Sequence, residues 1–240
     1  MTHSNKEEET GRLIGRGKAA RVYKLDGPEH VITRKEFSPI LPVVMWNWFF
    51  YDSPHPLTTK TGFKYSYWKR RIASRLCRFY DPALHIPDAL KITETGFIAE
   101  YVHKERYCRR AKRIFYPNVR SLEKFFGYLG LPTWSFSRRN PFSASNFVFG
   151  KDKVYIVDYE QSVPVKDPWG VIDYDRIYFD DLRDYVSGNN SRLRLKLGNE
   201  EFENLKEAMD EAERCQDKLD IRPKKTTKLV NKIRSRRAKR

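Results

Sequence analysis

The chain has 240 residues, 40% of them hydrophobic and 14% aromatic, which is enough apolar material for a packed core and excludes wholesale disorder. The length suits one two-lobed domain or two small ones. The net charge of +16 is unevenly spread: residues 221–240 carry ten Lys or Arg and no acid, and removing those ten leaves +6 for residues 1–220.

Residues 1–10 are polar and acidic, read as a flexible tail, and lack the apolar stretch of a secretory signal. From Gly11 the pattern becomes strand-like: Arg12 to Ile14, Ala20 to Leu25 and His30 to Phe37, separated by a turn with Gly15 and Gly17 and by Asp26-Gly27-Pro28. Three short strands joined by turns predict an antiparallel meander. The run Ile40 to Phe50 is the most apolar, yet too short for a membrane-spanning helix, which needs about 20 residues. Its Trp46, Trp48, Phe49 and Phe50 suit core packing, with a lipid headgroup surface as the alternative use. Tyr65 to Tyr80 predicts a helix, with Trp68, Ile72, Leu76 and Phe79 at helical spacing and Lys69, Arg70, Arg71, Arg75 and Arg78 forming a cationic surface. Leu90 to Thr93 and Gly96 to Val102 read as two further strands, so that the first half forms a sheet with one helix against it.

The second half reads as more helical. A basic cluster with interleaved aromatics, Lys104 to Tyr116, fits either a nucleic-acid-binding patch or, more commonly, an amphipathic helix surface. Ser121 to Gly130 is a helix with Ser121 as its cap. A loop, Ser135 to Ser145, leads into a hairpin formed by Asn146 to Phe149 and Val154 to Val157. Helices are expected over Tyr174 to Tyr185 and Glu200 to Leu219. Cys77, Cys108 and Cys215 are odd in number and widely spaced, which argues against a disulfide framework or zinc site and fits buried apolar cysteines in a reducing compartment. A soluble cytoplasmic location is the expectation.

Four features form an ordered series. Gly15-Arg16-Gly17-Lys18-Ala19-Ala20-Arg21-Val22 reads G-x-G-x-x-A-x-V between two strands, a turn that brings backbone N–H groups close to phosphates. Alone it is as well explained by an ordinary hairpin. Lys35 follows Val22 by 13 residues on the next strand. Phe97 to Val102 is a strand that, taken alone, reads as a buried edge strand. Asn146 opens the hairpin, and Asp158, 12 residues on, ends its second strand. Taken singly, Asn146 is a loop residue and Asp158 a strand-end cap.

In combination these residues resemble the protein-kinase superfamily, over about residues 11–185, and lie nearer its atypical and small-molecule branches. The resemblance implies an α+β two-lobed fold: an antiparallel N-lobe sheet with one helix (11–103), a small, mostly helical C-lobe (104–220) and a disordered basic tail (221–240). It implies an ATP- and Mg-dependent phosphotransferase in which Gly15, Gly17, Val22 and Lys35 hold the nucleotide phosphates, the backbone at Glu100 and Val102 meets the base, and Asn146 and Asp158 coordinate Mg.

Two departures stand out. Five residues before Asn146, where an active kinase carries its catalytic Asp, the chain has Pro141, with Asn140 beside it, and neither is basic near neutral pH. The same loop carries Arg138 and Arg139, candidates for holding an anionic acceptor. The helix expected to supply a Glu to Lys35 contains no acid, which leaves Asp158 itself as a candidate partner. Asp158-Tyr159-Glu160 replaces the usual Asp-Phe-Gly; in an extended segment Asp158 and Glu160 share a side and form a two-carboxylate metal site, unless Glu160 pairs with a nearby arginine. These departures keep open a pseudokinase that acts through its surfaces, binding a partner, nucleic acid or an anionic membrane through residues 221–240. An unrelated α+β nucleic-acid-binding protein is the third reading.

Overall fold

The structure is a computed structural model that describes residues 11–16, 20–26, 31–39, 41–42, 44–45, 56–103, 109–137, 143–150, 153–159 and 176–219, with side chains left out at 56 and 109–116. Gly17, Arg138, Arg139, Asn140, Pro141, Glu160, Cys108 and the tail 221–240 therefore lie outside the described residues or side chains, as do the expectations attached to them.

The chain folds as an α+β protein. Strands β1 (Arg12–Arg16), β2 (Ala20–Asp26) and β3 (Val31–Phe37) form the expected meander, and β5 (Ala89–Ile92) and β6 (Gly96–Glu100) complete a five-stranded antiparallel sheet in the order β1-β2-β3-β6-β5. A second sheet of three strands joins β7 (Phe147–Phe149) and β8 (Val154–Ile156), the predicted hairpin, to the two-residue β4 (Leu84–His85), which runs parallel to β8.

Helix α1 (Lys60–Tyr80) starts five residues before the predicted Tyr65, because Thr59 caps it by accepting a hydrogen bond from the Gly62 N–H at 3.0 Å. Its cationic residues do not form the expected surface: Lys69, Arg70 and Arg75 are 0%, 3% and 1% exposed, Arg71 is half-buried, and Arg78 alone of the five is exposed. The reason is that α1 is covered on several sides, by the large sheet, by β4 and by helix α5 (Asn199–Leu219). Helix α2 (Arg109–Tyr128) begins twelve residues before the expected Ser121 and passes through Pro117, whose missing N–H does not end it. The stretch read as a loop, Ser135 to Ser145, overlaps two short 3-10 turns, Trp134–Phe136 and Ser143–Asn146, the second of which takes in Asn146 ahead of the hairpin strand. Helix α3 (Phe179–Gly188) lies C-terminal to its predicted start, and α4 (Asn190–Leu197) was not expected.

Two apolar clusters make up the core. A smaller one joins the large sheet to the first half of α1 through Phe37, Phe63, Tyr67 and Phe97. A larger one gathers Ile72, Leu76, Leu122, Phe126, Ile156, Leu182, Phe202 and Leu205 from α1, α2, β8, α3 and α5. Trp68 packs against both. Buried Gln216 braces the larger cluster, with its Oε1 accepting from Tyr65 Oη at 2.9 Å and from the Ile177 N–H at 2.8 Å. Cys77 and Cys215 are buried free thiols, and burial pushes both thiols up from the ordinary range. No helix among the described residues is long and apolar enough to cross a membrane.

Candidate functional site

A cavity of about 520 Å³ lies where the large sheet meets the β7–β8 hairpin, lined from β1, β2, β3 and β6 on one side and by Ser145, Asn146, Val148, Val157 and Asp158 on the other. Alternation along β3 aims Thr33, Lys35 and Phe37 at the cavity, while Arg34 and Glu36 face away and pair with each other at 3.2 Å. In the sheet Lys35 lies opposite Val22 on β2 and Phe97 on β6. Gly96 permits this close approach: a Cβ there would fall 1.9 Å from the Lys35 carbonyl oxygen.

Lys35 is 7% exposed, and its Nζ donates to Asp158 Oδ1 at 2.9 Å across 123 residues of sequence. The alternative weighed from the missing helix carboxylate, Asp158 as the lysine's partner, is thus the contact the structure holds. Asp158 lies two residues past Ile156, the end of β8. The Val157 N–H donates to the Asn146 carbonyl at 2.9 Å, which sets Asn146 beside the Asp158 segment. Asn146 is 3% exposed; its Nδ2 donates to the Ser135 carbonyl at 2.6 Å, which turns Oδ1 the other way, toward Ser145 Oγ at 3.3 Å.

At the far edge, Thr33 Oγ1 lies 3.1 Å and 3.0 Å from the carbonyls of Ala99 and Glu100, tying β3 to the start of the 100–102 segment. The Glu100 carboxylate receives His85 Nε2 and the Asp88 N–H, both at 2.8 Å. Burial works against its charge, but the His85 and Asp88 hydrogen bonds prevail and hold Glu100 below the ordinary carboxylate range.

Gly15, Val22, Lys35, Glu100, Val102, Asn146 and Asp158 therefore line one cavity. Arg70, Thr33 and Arg16 line it too and were not assigned to a site from the sequence. Arg70 had one available signal, a helix of 21 residues without a single acid. Among the described lining residues Arg16, Lys35 and Arg70 outnumber the carboxylates, Glu100 and Asp158, a balance that suits an anion. Its oxygen donors suit a hard cation: Asp158 offers a carboxylate and Asn146 an amide oxygen, and no group of three or more His, Cys, Asp or Glu gathers among the described residues. The chain matches no known protein-family model, and no curated protein is similar to it in sequence.

Proposed function

We propose that this chain is an atypical kinase-like protein that binds ATP with Mg in the cavity and transfers a phosphoryl group to an acceptor. The observation that carries the reading is the Lys35–Asp158 contact at 2.9 Å, at a cavity shared with Gly15, Asn146 and the 100–102 backbone. Ala20, Val22, Ala99 and Val148 give apolar walls for a flat base, and the 100–102 backbone gives polar groups at its edge. Lys35 neutralises phosphate oxygens. Asp158 and Asn146 would hold Mg, which when bound neutralises charge on the phosphates. Phosphoryl transfer depends mainly on positioning and electrostatics, so a chain without the usual catalytic Asp can still carry it out. Arg138 and Arg139 are the candidates for orienting the acceptor.

One observation favours a second reading, a pseudokinase that binds nucleotide without transfer. Both cavity carboxylates among the described residues are engaged, Glu100 by His85 and Asp88 and Asp158 by Lys35, so neither stands ready as a general base. Such a protein would act through its basic tail, on nucleic acid or an anionic membrane. An ATP-turnover assay separates the two. The first reading expects turnover that falls at least about 100-fold in Asp158→Ala. Unchanged turnover in that variant contradicts the site, and Mg-ATP binding without any turnover selects the second reading.

A further inference from the structure

Helix α1 presents cations, not an acid, to the segment around Asp158. Arg70 Nη2 donates to the Val157 carbonyl at 2.7 Å, Nη1 donates to the Pro87 carbonyl at 3.2 Å, and the guanidinium lies 5.5 Å from the Phe97 ring centre. Its neighbour Lys69, fully buried, has Nζ 5.5 Å from the Tyr159 ring centre and 5.6 Å from that of Tyr65. Tyr159 is anchored in turn by its Oη, which donates to the Pro132 carbonyl at 2.8 Å. Three successive residues are thus each held by a cation: Val157 by Arg70, Asp158 by Lys35 and Tyr159 by Lys69.

Burying a guanidinium or an ammonium is costly unless its donors are used. The same helix also buries Ile72, Ala73, Leu76 and Cys77, so α1 tolerates apolar residues elsewhere along its length. What the cations add is direction. The planar fork of Arg70 spans two carbonyls that a lysine ammonium cannot hold with the same geometry, and the cation of Lys69 sits on an aromatic ring.

We infer that Arg70 and Lys69 are positioning residues that fix Val157 to Tyr159 so that the Asp158 carboxylate faces Lys35, replacing the missing helix carboxylate as the link between α1 and the site. The helix secures the acid where an acidic helix residue would have secured the lysine. The consequence for ligand binding rests on the Mg-nucleotide reading above; the positioning itself does not.

The test uses the full chain with Arg70→Met, Arg70→Lys and Lys69→Met, read by hydrogen exchange and by calorimetric titration with ATP, with Mg and with EDTA. Arg70→Met is expected to speed exchange across 153–159 by about tenfold or more while 199–219 keeps its protection, with Arg70→Lys and Lys69→Met giving smaller increases in the same segment. It also removes the gain in ATP affinity that Mg brings, read as the ratio of the affinities with Mg and with EDTA in the same variant, so that the loss of a cation lining the cavity cancels. Unchanged exchange across 153–159, or equal changes in both segments, would overturn the inference, as would a variant that keeps the full Mg gain. If Arg70→Met does not fold, Arg70→Lys decides by the same local exchange criterion. A wild-type chain that binds no ATP contradicts the nucleotide reading alone, and exchange then decides the positioning.

Discussion

Glu100 and Asp88, neighbours through one hydrogen bond, respond to pH in opposite senses. Glu100 is held below its ordinary range by His85 and the Asp88 N–H. Its contribution is present above the unfolded value of about 4.3 and is lost as pH falls through its lower folded value. Burial pushes Asp88 up, with Arg75 and Arg71 opposing, so its contribution fades as pH rises from about 3.9 through the folded value. Glu100→Gln is therefore expected to cost about 1 kcal/mol at neutral pH, reduced by the partial exposure of the carboxylate, and progressively less in acid. Urea denaturation across that range checks it, and a cost that stays constant with pH would show that the charge of Glu100 is immaterial. At this scale Lys35 and Asp158 were legible because their residue types stand in an ordered series with two apolar strands. Thr33 was not, since its role is a hydroxyl aimed at carbonyls 66 and 67 residues away.

Among the elements, α1 departs from its sequence reading in what surrounds it. Periodicity located the helix and its apolar positions, but five basic residues among them resembled a solvated face. What covers a helix is decided by distant segments, and α5 lies more than a hundred residues further along the chain. Arg75 shows the result: Nη1 lies 3.1 Å from Asp88 Oδ2, and Nε lies 2.9 Å from Glu201 Oε2, which also meets Arg78 at 3.3 Å. One buried guanidinium thus joins α1 to the segment ahead of β5 and to α5. Arg75→Met is expected to destabilise the fold by about 3 kcal/mol, the low end for breaking a buried pair, because Glu201 is partly exposed and Asp88 can take up a proton. Adding Asp88→Asn should recover part of that loss. Chemical denaturation of the single and double variants measures both, and a loss below about 1 kcal/mol would show the contact to be incidental.

For the whole molecule, local signals were read well and long-range ones poorly. The meander, the β7–β8 hairpin and α5 followed from apolar alternation, turn residues and helical spacing. The parallel pairing of β4 with β8 had no local signature, since two residues at Leu84–His85 become a strand only by meeting Val154 and Tyr155. The division of the core into two clusters was equally hidden, because α1 contributes to both and Trp68 touches both. That division matters because the cavity opens between the large sheet and the hairpin, drawing residues from segments up to 123 positions apart into contact. The most direct test of the account is calorimetric titration of ATP, with and without Mg, into the intact chain and Asp158→Ala. The account predicts Mg-dependent binding to the wild type that is lost in the variant. Absence of binding to the wild type, or equal binding by both proteins, would contradict it.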